Sequence, residues 1–486
     1  MLDLPPELWL RIISFIPDES LVRLVGVNLL FYSAALDTRY STIYVQKVGT
    51  KAEKLFERLR DPVPAGRVRK LIFRPHVSPA EAARAARPTS PTSTSSRIRR
   101  ILQRKQPEPV TVVRLVELLR LAFPVLVNLR SFEVEAWDMT QDLRGFFREA
   151  WTAFGQNLEA ISIGGRPENF RHFVESQPHI PNCRSFNLQF THEVDTMANS
   201  AVVGILVDCV APYINSIAPQ LTMLKIWSWS TLDLSALFAH LGSFPLLSEF
   251  HLRAPFNKAF TDPAGLTRLL ETNSSSLERV ELRLNQTNTG MDKHSEGNLG
   301  DWLLSHKDHP EVMKDLKILR LYPTNLDSGF QAVLTYLERS PNLQVLAIKD
   351  RYLYIDEIEM LITPLSARST ADGEGLQHLR LNVRLWSAEL FELFAEKLPG
   401  LHSLSLYVGG SSPDRAASER FFSTLRESEA CRSWKLHDIG IWQGGQEIPS
   451  TAMKELAQCI PAVQSFWGNG HMFGDERFYE AGFTSI

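Results

Sequence analysis

The chain has 486 residues, 44% of them hydrophobic and 22% charged, with 52 basic side chains against 55 acidic ones for a net charge of −3. That balance belongs to an ordinary globular protein with room for a large core and two to four domains, and it excludes a global charge suited to nucleic acid. Cys183, Cys209, Cys431 and Cys459 lie far apart with no Cys-x-x-Cys pair and no His at ligand spacing, so reduced core cysteines are expected, with no disulfide framework, zinc site or cofactor.

The acidic, proline-interrupted start is unlike a secretory signal. No uninterrupted apolar run reaches membrane-spanning length, since Asp208 breaks the longest candidate, Ala201 to Val210. A cytoplasmic or nuclear location is therefore expected, and the sequons at Asn273 and Asn285 carry little meaning.

The first forty-odd residues predict three short helices. Pro5 and Pro6 suit only a first helical turn, where a missing N–H costs nothing, and Pro17 closes that helix. Leu21, Leu24 and Val25 at helical spacing predict a second helix beyond Asp18, and Leu29 to Leu36 a third, with Phe31 and Tyr32. So small a module cannot enclose all the apolar side chains it carries, and must bury one face against the rest of the chain or a partner.

The order Leu4-Pro5-Pro6-Glu7-Leu8, then Ile12, Ile16, Leu21, Leu24, Val25 and Phe31, resembles an F-box over residues 2 to 46. The F-box is the helical segment by which substrate receptors dock on the Skp-type adaptor of a cullin-RING ubiquitin ligase. The resemblance implies that Leu4, Pro5, Pro6, Leu8, Ile12, Ile16, Leu21, Leu24, Val25 and Phe31 bind such an adaptor. The chain departs from many F-boxes in its third helix, where Val27-Asn28-Leu29-Leu30-Phe31 and then Tyr40 replace the basic or Cys-rich phrase and the following Trp. The competing reading is a helical cap on a larger domain.

Beyond this module one phrase recurs: apolar, two variable residues, apolar, one variable, apolar. Clear copies are Leu129-Phe132-Val134, Leu158-Ile161-Ile163, Cys183-Phe186-Leu188, Leu221-Leu224-Ile226, Leu247-Phe250-Leu252 and Leu277-Val280-Leu282. The series continues with Leu316-Leu319-Leu321, Leu343-Leu346-Ile348, Leu376-Leu379-Leu381, Leu401-Leu404-Leu406 and Cys431-Trp434-Leu436. Weaker forms at Tyr40-Ile43-Val45 and Val68-Leu71-Phe73 start it, and Val463 with Phe466 is a candidate end.

The phrase resembles the strand of a leucine-rich repeat, and its spacing of 25 to 39 residues is that of stacked supersecondary units. Amphipathic helical stretches lie between copies, as at Phe330, Val333, Leu334 and Leu337, or Leu390, Phe391, Phe394 and Leu398. The expected fold is therefore α/β: a three-helix F-box-like module (1–46), first repeats (47–77) and an irregular leucine-rich-repeat solenoid (111–466), a horseshoe with parallel strands on its concave face. A doubly wound sheet or barrel would hold fewer units. The Ser-, Pro- and Arg-rich stretch 78–110 is expected to be a disordered insertion, with Ser90 as a candidate phosphosite, and 467–486 to cap the last repeat or fold back over the concave face.

No phosphate-binding Gly loop, Gly-x-Ser-x-Gly elbow or His-Glu-x-x-His helix is present. His306 and His309 are expected to be solvated loop residues rather than metal ligands. A non-catalytic protein is expected.

Side chains alternate along a strand, so the variable positions of the phrase face the concave side. From Lys225 onward those positions hold Lys225, Arg253, Arg283, Arg320, Lys349, Arg380 and Lys435 against the single acid Glu281, with Trp227, Tyr322 and Tyr407 among them. A basic, aromatic-flanked face for an acidic or phosphorylated protein segment is the expected substrate site, against the plainer reading of a wet strand face. Taken together these readings predict a substrate-recognition subunit of a Skp-cullin-F-box ubiquitin ligase, the alternative being a repeat scaffold independent of ubiquitin ligases.

Overall fold

The computed structural model describes residues 4–76, 110–135, 142–190, 199–228, 232–254, 256, 260–284, 297–322, 327–369, 375–410, 415–443 and 446–466. The expected insertion, apart from its last residue, and the expected cap or tail at 467–486 lie outside them, as does Asn285. The chain folds as two units, Met1–Leu221 and Thr222–Ile486.

The first unit begins with α1 (Pro6–Ser14), α2 (Asp18–Leu21) and α3 (Leu29–Tyr40). Pro5 is the extended residue before α1 and Pro6 its first helical residue, while Pro17 precedes α2. The third helix outruns the expected Leu36 by a turn. It is started by Asn28, whose Oδ1 accepts the Phe31 N–H at 3.0 Å.

Five strands follow: β1 (Thr42–Lys47), β2 (Lys70–His76), β3 (Ser131–Glu135), β4 (Ala160–Gly165) and β5 (Ser185–Phe190). They pair in parallel and in chain order, with Ile43 opposite Leu71, Leu71 opposite Phe132, Phe132 opposite Ile161 and Ile161 opposite Phe186. The phrase is the reason, since its apolar positions stack strand upon strand and face the connecting helices. Phe132 meets Phe123, Phe146, Trp151 and Phe154 at centroid distances of 5.4 to 6.4 Å, a dense aromatic core.

The helical stretch Ala201–Gln220 passes through Asp208 in a π-turn, Leu206–Val210, so the apolar run is longer than the sequence suggested. With a mean hydropathy of 1.7 it is long and apolar enough to cross a membrane, and half of it is buried within the protein.

The second unit holds β6 (Met223–Ser228), β7 (Glu249–Ala254), β8 (Arg279–Leu284), β9 (Ile318–Tyr322), β10 (Val345–Leu353), β11 (His378–Val383), β12 (Ser403–Val408) and β13 (Asp438–Gln443). All pair in parallel and in chain order, and a short antiparallel β14 (Gln446–Glu447) adds to β13. One carbonyl before each strand accepts two successive N–H groups from the next repeat. Thr222 O takes Ser248 and Glu249, Lys317 O takes Gln344 and Val345, and His402 O takes His437 and Asp438, at 2.9 to 3.1 Å. These rungs fix the register along the unit.

Every clear copy of the phrase supplies a strand except the last. Cys431, at the C-terminal end of the expected series, lies in the helix Glu429–Ser433, started by Ser428, and the Trp434 indole donates to the Leu398 carbonyl at 3.0 Å. The strand comes one phrase later, at Leu436, Ile439 and Ile441, with Ile439 opposite Leu404. An i, i+3 apolar pair is common to both patterns, and here the helix takes it. Val463 and Phe466 flank Ser465, which bridges to Asp438 at the end of the series.

Candidate functional site

The expected adaptor residues divide into two sets. Leu4, Leu8 and Ile12 are exposed at 39%, 46% and 39%, Phe15 on the same stripe at 77%, and no residue of α1 is buried. Pro5, Pro6 and Val25 are also exposed, and Ile16 and Leu24 half-buried. Val27, before α3, and Leu29, its first residue, stand out at 53% and 79%. Leu21 and Phe31, at 4% and 3%, instead form the core of the module itself, where Trp9 meets Phe31 edge-on at 5.7 Å. Both are thus buried in the free chain, where an exposed adaptor face was expected, and Phe31 packs on α1. The module is fastened to the first unit by Arg67, which donates to the Ser33 carbonyl at 3.0 Å and pairs with Asp37 at 2.5 Å. The anchor is α3; the apolar face of α1 is left to solvent.

On the second unit, register places Lys225, His251, Glu281, Arg320, Ala347, Arg380 and Ser405 in one row across the sheet. Trp227, Arg253, Arg283 and Tyr322 form the next row, and Asn382 and Tyr407 continue it toward Trp442. The expected open basic face is not what these rows make. Arg253, Arg320, Lys349 and Arg380 are buried at 8%, 8%, 2% and 4%, and Tyr322 at 1%; Lys225, Trp227, Arg283 and Tyr407 are half-buried.

Part of this charge is matched within the sheet. Glu281 accepts from Arg320 at 3.4 Å and from His251 Nδ1 at 3.2 Å, while His251 Nε2 faces Glu249. Glu249 also pairs with Arg279 at 3.1 Å and Lys225 at 3.9 Å. Burial alone would raise the Glu249 carboxyl, but the His251 hydrogen bond and the charges of His251, Lys225 and Arg279 hold it down at about 2. Glu281 is held below the carboxylate range in the same way, with Arg320 and Lys349 contributing.

Aromatic rings take further contacts. Arg253 lies over Trp227 at 5.8 Å, Arg283 and Lys349 over Tyr322 at 4.7 and 4.9 Å, and Arg380 over Tyr407 at 4.4 Å. Tyr407 stacks on Trp442, its register partner on β13, at 4.8 Å. Arg253, Arg320, Lys349, Arg380 and Tyr322 are therefore parts of a buried ladder that binds strand to strand, and their expected role as an open capture surface is corrected.

His306 is also buried, contrary to the solvated loop expected. Its Nδ1 faces the Tyr336 hydroxyl at 3.1 Å and its Nε2 the Thr267 hydroxyl at 3.0 Å. Burial, with His309 and Arg339 adding to it, pushes its pKa down to about 4. His309 instead pairs with Glu271 at 3.0 Å.

An open groove of about 910 Å³ lies at the C-terminal ends of β10, β11 and β12. It exists because β10 carries three extra residues between Ala347 and Tyr352 relative to β11, which push Tyr352 and Tyr354 outward. Tyr352, Tyr354, Ile355 and Leu385 are exposed at 41%, 53%, 43% and 67%. The strand phrase does not reach these residues; the signal available was the apolar-aromatic run Tyr352-Leu353-Tyr354-Ile355, which begins after Lys349-Asp350-Arg351 beyond the phrase.

No family model matches the sequence, and no curated protein matches it. Among solved structures, the Rad7 and Elc1 complex in yeast is similar with a TM-score of 0.39 and 11% identity, over 84% of this chain and 88% of that one. The leucine-rich repeat-containing protein LegL7 from Legionella pneumophila is similar with a TM-score of 0.38 and 11% identity, over 68% and 98%.

Proposed function

We propose that the protein is a non-catalytic substrate receptor that docks on the Skp-type adaptor of a cullin-RING ubiquitin ligase through α1 and the segment up to Leu29, and holds a protein substrate on its repeats. The observation that carries this reading is the unpartnered apolar stripe Leu4, Leu8, Ile12 and Phe15 on a helix with no buried residue. Each such side chain gains about 1.5–3 kcal/mol on full burial, so a partner that covers the stripe has a large driving force. Ubiquitin transfer would be performed by other subunits, with this chain supplying proximity. Its place of action would be the cytoplasm or nucleus.

The test is co-purification of the full chain with a Skp-type adaptor. Leu8→Asp and Ile12→Asp should each weaken capture by at least about tenfold, because a charge must be desolvated in the interface. Thermal unfolding should stay within about 0.5 kcal/mol of the parent, as for other exposed positions. If the helices instead serve only as a scaffold's cap, as the buried Leu21 and Phe31 would allow, the adaptor does not co-purify with the parent chain at all.

A further inference from the structure

The groove beyond β10, β11 and β12 has two chemical parts. The first is apolar and aromatic: Tyr352, Tyr354, Ile355 and Leu385 stand exposed along its walls. Gly409 leaves room for the Tyr352 ring, since a Cβ there would lie 2.7 Å from it. The second part is one positive charge. Arg384 is exposed and lies over the Tyr354 ring at 4.3 Å. Among the described residues no carboxylate lies within ion-pair distance of it, whereas nearby Arg351 is matched by Glu357 and, at 3.4 Å, by Asp327.

The main chain that carries this ring is held in place. The Tyr354 N–H donates to Glu357 Oε2 at 2.9 Å, which ties the ring's backbone to the first turn of the helix Ile355–Ser366. A guanidinium stacked on an aromatic face keeps its N–H edges in the plane of the fork, where a carboxylate takes two of them. A stacked cation thus loses little side-chain freedom when it pairs. Glu389, exposed at the start of the helix Ala388–Lys397 and also lining the groove, has the opposite sign and would turn a second acid away from its own part of the groove.

We propose that this groove binds a short extended peptide segment of a protein partner, with a side-chain carboxylate on Arg384 and a neighbouring aliphatic or aromatic side chain between Tyr352, Tyr354 and Leu385. Three adjacent strand ends span about 10 Å, the length of about three extended residues. Charge complementarity selects the acid and the exposed rings select its apolar neighbour. The inference rests on the receptor reading only in that it names where the substrate is held.

The experiment is selection of a displayed library of random heptapeptides on the immobilised full chain, followed by titration of a selected synthetic peptide. Selected sequences should carry Asp or Glu within two residues of Leu, Ile, Phe, Tyr or Trp. The dissociation constant should rise at least about tenfold with Arg384→Glu, and also with the peptide's acid changed to its amide. Arg384→Gln combined with the amide peptide should lose no more than either change alone, as expected for two groups that pair with each other. Gly409→Ala, which displaces the Tyr352 ring without removing any groove side chain, should weaken binding too. Selected peptides without an acid, or binding that survives Arg384→Glu, overturn the proposal. The parent chain separates the two readings: peptide binding without adaptor capture overturns the receptor reading alone, and adaptor capture without peptide binding overturns the groove alone.

Discussion

The side-chain amide of Asn273 joins two successive repeats. Its Oδ1 accepts the Phe244 N–H at 2.8 Å and its Nδ2 donates to the Leu269 carbonyl at 2.6 Å, with 2% of the residue exposed. The sequence marks Asn273-Ser274-Ser275 as a glycosylation acceptor, but a buried amide with both ends bonded is a structural pin. Asn273→Ala leaves the Phe244 N–H without its partner and should lower unfolding free energy by about 2 kcal/mol in denaturant titration. Ser275→Ala, at an exposed position, should change it by less than about 0.5 kcal/mol. Spacing does not report burial of single side chains, and the sheet face shows the same limit. The reading sampled two positions per strand and skipped the first position on that face, where Glu249 and Arg279 stand opposite each other. Glu249 is the acid that pairs with Lys225, His251 and Arg279, so the face holds a second carboxylate hub beside Glu281.

At the scale of elements, the helices Gly297–Ser305 and Asp327–Arg339 approach each other through glycine. A Cβ on Gly300 would lie 2.6 Å from the Gly329 backbone nitrogen. Helix propensity alone would make Gly300→Ala stabilising by about 1 kcal/mol. The clash is with backbone and cannot be relieved by a rotamer, so the helices must separate at an overpacking cost of about 1–3 kcal/mol. Net destabilisation is expected, read as a lower denaturation midpoint with an unchanged slope. Strands were the legible elements because one phrase, repeated many times, averages out local ambiguity. The misplaced last copy and the three extra residues of β10 were not legible. Each depends on which of two neighbouring segments packs on the preceding repeat, and that is decided by tertiary contact rather than by local pattern.

At the scale of the whole molecule, the two units should respond to pH in opposite ways. In the second, Glu249 titrates at about 2 when folded, against an ordinary value of 4.5. A depressed carboxyl stabilises the fold fully above its unfolded value and loses that contribution as pH falls toward 2. In the first unit, burial raises Glu135 to about 7, and Glu133 adds to this while Arg74 opposes it. A raised carboxyl does the reverse: its contribution is present below about 4.5 and is lost as pH climbs through 7. Hydrogen exchange resolved by unit should therefore show the second unit loosening between pH 5 and pH 2 and the first loosening between pH 5 and pH 8. Glu249→Gln should make the acid slope shallower, Glu281 and His306 retaining their share, and Glu135→Gln should do the same to the other; equal slopes in parent and variants would contradict both assignments. The paired carbonyl rungs bear on how the protein is made. Within each unit every strand finds its partner in the segment just synthesised, so a nascent chain can complete each layer as it leaves the ribosome, without waiting for distant sequence to arrive.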